Sequence, residues 1–128
     1  MILDFDRFGT INETHGFETG NAILTTSAAL IQAMVRDNDV VCRYGGEEFG
    51  IVLPNTEFKG ARMLAERIRK KIAAHEFKKN SIVLKLTVSI GIASYASKTD
   101  TAYPILVKRA LDALTSAMDN GGNNVKAH

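Results

Sequence analysis

With one cysteine among 128 residues, no internal disulfide can form. Cys42 lies in an apolar segment and is expected as a small buried side chain in a reducing compartment. No apolar run approaches the ~18 to 20 residues that a membrane span needs. No basic segment followed by an apolar one opens the chain, so no secretory signal is expected. Neither charge sign dominates: 16 Lys and Arg against 14 Asp and Glu leave +2, too little to argue for a nucleic-acid partner. The basic run from Arg67 to Lys71 is expected to be the solvated face of a helix. Repeats, low-complexity tracts and linkers are also missing, and the length fits one domain over residues 1–128.

What is present is a mixture of strand and helix patterns. The opening "MILDFDRF" has a strand pattern. Residues 22–35 carry Ile23, Leu30, Ile31 and Met34 on one helical face. Residues 39–53 form two apolar segments around Gly45-Gly46, a hairpin signal. Ala61, Leu64, Ala65, Ile68 and Ile72 give residues 57–75 helical spacing. Residues 84–95, "LKLTVSIGIASY", are expected as one nearly continuous central strand. Residues 102–118 suggest another helix, and 123–127 a short strand after Gly121-Gly122. The expected fold class is α/β: an α+β sandwich with helices packed on a mainly antiparallel sheet.

The stretch "CRYGGEEFGIVLP" poses the functional question. Two glycines can supply the positive φ of a type I′ hairpin with no function attached. Asp4 and Asp6 in "LDFD" stand two apart on a strand, so they share a face. Asp is depleted in strands. If these carboxylates converged with Glu47 and Glu48 they would repel unless a cation sat between them, and oxygen-only ligands suit Mg²⁺ or Mn²⁺. Mg²⁺ so held usually shares its shell with substrate phosphates, which glycines would allow close to the backbone. On spacing alone, both the turn and the site remain open readings.

The chain resembles the GGDEF family, the diguanylate cyclase domains of bacteria. The resemblance rests on "LDFDRFGTINETHG", "RDNDVVCRYGGEEFGIVLP", "LTVSIGIA" and "RALDALTSAMDNGGNNV", in family order and spacing. It implies a fold similar to the palm of nucleotide polymerases and cyclases. The helical segment that normally precedes the first strand is missing, so the chain looks like a fragment beginning inside the domain. The resemblance implies metal ligation by Asp4, the Phe5 carbonyl, Glu47 and Glu48, with Asp6 at the second acidic position. Glu47 matches the residue that deprotonates a 3′-hydroxyl. Gly45 and Gly46 match the turn against the phosphates. Asn12 matches a guanine-binding asparagine, and Asn21 stands at a second guanine-binding position. The implied reaction joins two GTP into cyclic di-GMP with loss of pyrophosphate. It implies a homodimer, an N-terminal sensory or dimerising domain, a cytoplasmic location and no membrane contact by this domain. Arg36 and Asp39 form an RxxD five residues before the glycines, matching an inhibitory cyclic di-GMP site. Arg67 is a further candidate there, as an arginine offered to a facing domain.

The departures from the family pattern matter as well. Gly9, Met118 and Gly122 stand where lysine, lysine and arginine are usual near the phosphates. Phe17 and Asn21 replace a histidine and an aspartate, and Leu111 and Thr115 replace an aspartate and a tyrosine. Two functions follow: a diguanylate cyclase, or a degenerate domain that senses cyclic di-GMP or GTP or mediates partner contacts.

Overall fold

The computed structural model describes residues 1–95 and 102–128. Along the chain run β1 (Ile2–Phe5), α1 (Phe8–His15), α2 (Phe17–Gln32), β2 (Val40–Arg43), β3 (Glu48–Val52), α3 (Phe58–Ala74), β4 (Phe77–Lys79), β5 (Ile82–Leu84), β6 (Val88–Ile92), α4 (Tyr103–Asp119) and β7 (Val125–Ala127). The main sheet has the order β2-β3-β1-β6-β7, antiparallel except for the parallel pair β6-β7. The expected α/β class and mainly antiparallel sheet are what the chain adopts.

Alternation along the strands sorts the two faces of the sheet. Leu3, Phe5, Phe49, Ile51, Val88, Ile90 and Ile92 join Ile23, Ile31, Ala65, Ile68 and Ile72 from α2 and α3 in the main core. Ile2 instead packs with Ala110 and Leu114 of α4 in a smaller cluster. Each fully buried isoleucine contributes on the order of 1.5 to 3 kcal/mol. Gly91 lets α4 lie directly on β6, since a Cβ there would meet the Ala110 carbonyl and the Leu114 backbone.

Several elements differ from expectation. The helix expected over 22–35 runs over 17–32, and Met34 packs on the core from beyond its end. α1 was not expected, because its polar stretch leaves little apolar periodicity. Gly16, at φ +79°, separates the two helices. The segment 84–95 is not one strand: Leu84 ends a separate β4-β5 ribbon that turns at Asn80, φ +53°, and the central strand is β6 alone. β-rich composition fits either partner and does not specify where the chain changes sheets. Cys42 is exposed, because β2 is an edge strand. Its thiol donates to the Gly50 carbonyl at 3.6 Å. In the basic run, Arg67, Lys70 and Lys71 are solvated as expected, but Arg69 is half-buried and pairs with Glu66 at 3.0 Å. Among the described residues no helix is long and apolar enough to cross a membrane.

Candidate active site

Strand pairing brings the first acidic residues together. Asp4 on β1 stands opposite Glu48, the first residue of β3, and opposite Ser89 on β6. The half-buried Asp4 has one oxygen, Oδ1, that is buried without a hydrogen-bond partner. Burial first, then the charges of Glu47 and Glu48, push its pKa up to about 6, against a smaller opposing hydrogen bond from the Phe5 backbone. Three carboxylates therefore share one field, and an acceptor-only oxygen is left unmatched. That donor set fits a hard divalent cation. Among the described residues no three His, Cys, Asp or Glu side chains close a metal cage by themselves. Mg²⁺ commonly takes only one or two carboxylates and completes its shell with phosphate oxygens, so the residues present fit an ion shared with a substrate.

Asp6 is held by its neighbours. It lies in the turn beyond β1, and its carboxylate already accepts three hydrogen bonds. Thr87 Oγ1 donates at 2.5 Å, Ser89 Oγ at 2.7 Å and the Asn123 backbone N–H at 2.7 Å. Asp6 thus ties the end of β1 to β6 and to the turn before β7. Thr87, Ser89 and Asn123 were not singled out from the sequence. The two-residue spacing of Thr87 and Ser89 beside a strand was the available signal, since it puts both hydroxyls on one side.

The glycine loop also departs from the expected type I′ turn. Tyr44–Glu47 connect β2 and β3, and neither Gly45 nor Gly46 has a positive φ. The Tyr44 and Gly45 N–H groups both reach the Glu48 carbonyl, at 2.8 and 3.4 Å. Gly45 lies close to the Glu48 carboxylate, which a Cβ there would displace. Around Gly46 the space is open. Phe5 closes β1 with its ring buried in the core.

The asparagines sit on the helices after β1. Asn12 on α1 lies against Gly20 of α2, and its Oδ1 is buried and unpartnered. Asn21 is exposed on the next residue of α2, and its backbone carbonyl accepts from Thr25 at 2.9 Å. Phe17 is 76% exposed at the start of the same helix.

A second group assembles elsewhere. Arg36, Asp39 and Arg67 line one pocket of about 440 Å³ together with Met34 and Leu53. Asp39 accepts from the Arg36 backbone N–H at 2.8 Å, and Arg67 donates to the Met34 carbonyl at 2.7 Å. Arg67 thus lines this pocket within the same chain.

The departures at the phosphate end divide into two kinds. Gly9 has nothing within 4 Å of a Cβ, and Met118 is 42% exposed, so both could carry long cations. Gly122 is at φ +73°, and a Cβ there would stand 2.7 Å from Asp6 Oδ1. Its glycine is a backbone requirement of the turn that holds Asp6.

A family model described as "Diguanylate cyclase, GGDEF domain" matches residues 1–124. Diguanylate cyclase A of Treponema denticola is 38% identical over 125 residues, covering 98% of this chain and 33% of that protein. The chain thus spans about a third of that curated relative's length. The GGDEF domain of DgcB from Caulobacter crescentus, solved in complex with c-di-GMP, superposes with a TM-score of 0.92 at 29% identity, covering 98% of this chain and 74% of that one. The active GGEEF domain of a diguanylate cyclase from Vibrio cholerae gives 0.89 at 32% identity, over 98% and 79%.

Proposed function

The chain belongs to the GGDEF family, and from that premise we propose that it is a diguanylate cyclase domain condensing two GTP into cyclic di-GMP and pyrophosphate. The observation that carries this reading is the unpartnered buried oxygen of Asp4, opposite Glu48 and within the field of Glu47. Asp4, the Phe5 carbonyl, Glu47 and Glu48 would hold Mg²⁺ or Mn²⁺. Bound there, such an ion would supply Lewis acidity, lowering the pKa of the attacking hydroxyl and offsetting charge on the departing pyrophosphate.

This chain's own groups do the rest. Gly45 and Gly46 let the α-phosphate approach the hairpin backbone. Asn12 and Asn21 orient the guanine. Glu47 takes the proton from the 3′-hydroxyl as its oxygen bonds to the other nucleotide's α-phosphorus, and pyrophosphate leaves. Each domain binds one GTP, so two chains must face each other. The remainder of a longer protein, carrying a sensory or dimerising domain, would bring them together in the cytoplasm.

We further propose that cyclic di-GMP binds between Arg36, Asp39 and Arg67 and inhibits the domain. Arginine takes phosphate bidentately and stacks on a base, and Asp39 accepts from the guanine edge. The second reading, a domain that binds cyclic di-GMP without turning GTP over, is favoured by the missing cations at positions 9 and 118. Incubation with GTP and Mg²⁺ followed by detection of cyclic di-GMP separates the two. Product formation supports the cyclase, whereas tight cyclic di-GMP binding without any product supports the sensor.

A further inference from the structure

Arg43 ends β2, and its guanidinium folds back over the loop that follows. Nε donates to the Gly45 carbonyl at 2.9 Å and to the Gly46 carbonyl at 2.7 Å, and Nη2 donates to Gly46 as well. The same group stands 5.7 Å from the centroid of the Phe49 ring. Two loop carbonyls are therefore turned toward one cation. A trans peptide unit is planar, so a carbonyl and the N–H of the next residue point in opposite directions. Turning the Gly45 and Gly46 carbonyls toward Arg43 turns the N–H groups of Gly46 and Glu47 away from it.

Strand alternation tells which side that is. Phe49 belongs to the core beneath α2, and Arg43 shares a groove with Thr25, Ala28 and Ala29 of that helix. Asp4 lies on the face of Ile2, the face that α4 covers, and Glu48 stands opposite it. The two N–H groups are thus aimed toward the side that carries the carboxylates. A pair of glycines has little steric preference of its own, so the cation behind the loop decides which way its peptides face.

We propose that Arg43 is a positioning residue: it pins the loop carbonyls so that the N–H groups of Gly46 and Glu47 stand ready as donors to a phosphate group of the bound nucleotide. This rests on the GTP reading above. A guanidinium offers several donors in a planar fork, which an ammonium cannot reproduce.

The test is an NMR titration with GTP, using Ca²⁺ in place of Mg²⁺ to suppress turnover. In the parent protein the Gly46 and Glu47 amides move downfield on binding. Arg43→Met loses at least tenfold in GTP affinity and loses both shifts, while its affinity for cyclic di-GMP stays within twofold. Arg43→Lys falls between the two. Wild-type affinity with both shifts retained in Arg43→Met overturns the proposal. If Arg43→Met does not fold, Arg43→Gln, which keeps part of the donor set, is judged by the same criteria. If the parent binds no GTP, the cyclase reading fails, and pyrophosphate with Mg²⁺ serves as the probe. Amides that shift in the parent but not in the variant then sustain the role of Arg43, and amides unmoved in the parent overturn it.

Discussion

Asp4 pays no visible dividend in the metal-free protein. Its carboxyl is half-buried beside Glu47 and Glu48, and its pKa rises from 3.8 to about 6. A raised carboxyl pKa means that the folded state binds more protons than the unfolded state between those values, so stability falls as pH rises through that window. Metal-free protein should accordingly be more stable at pH 5 than at pH 7 with respect to this group. Asp4→Asn should flatten that part of the profile in chemical denaturation, and an unchanged profile would remove the case for a strained Asp4. Glu47→Gln tests chemistry rather than stability. Loss of a general base removes ~10²- to 10⁴-fold, so product should fall by at least a hundredfold with the melting temperature little changed. In the second pocket, Arg36→Ala removes a charged partner worth roughly 1.5 to 3 kcal/mol. Calorimetry should find cyclic di-GMP binding at least tenfold weaker, and equal affinity would contradict the assignment of that pocket.

Of three glycines in β6, in the turn before β7 and in α1, two are held to glycine by their surroundings and one is not. Gly91 admits the backbone of α4, so Gly91→Ala forces helix and strand apart and should cost on the order of 1 to 3 kcal/mol in urea unfolding. Gly122 holds a positive φ beside Asp6, so Gly122→Arg should destabilise by about 1 to 3 kcal/mol whatever charge it adds. Gly9 sits on the exposed first turn of α1 with open space around it. Gly9→Lys together with Met118→Lys should therefore fold and lower the KM for GTP at least tenfold. A double variant that folds with unchanged KM means that other groups already hold the triphosphate.

For the whole molecule, the proposed cyclase holds one GTP per domain, which would make its reaction second order in chain. Rate per chain should rise with protein concentration, and fusion to a dimerising coiled coil should raise it further at low concentration. A rate per chain independent of concentration over a hundredfold range would exclude catalysis across two copies that associate reversibly. Neither the pocket on α3 nor the pocket holding Arg36 and Asp39 is lined by Asp4, Glu47 or Glu48, so the two proposed ligands can be tested separately.

Much of this was legible in the linear order of residues. Helical spacing placed α3 and α4 to within a residue or two, because amphipathic periodicity is a local property. The paired glycines and glutamates marked the hairpin, and the RxxD marked the second pocket. Other features depended on contacts between distant segments. Strand order left Cys42 exposed, since it lies on the edge strand β2 and not on a central one. Asp6 could be seen as a carboxylate in the sequence, but its donors are 81, 83 and 117 residues away. Gly45 looked like a positive-φ turn residue, but its φ is not positive and its near neighbour is the Glu48 carboxylate folded back against it. Arg36 lies in the loop after α2 and Arg67 on α3, and only the packing of α3 against that loop, where Arg67 reaches the Met34 carbonyl, puts them on one pocket. Local physics sets what a segment can form, whereas its exposure, its partners and the charge it faces depend on which other segments the folded chain brings against it.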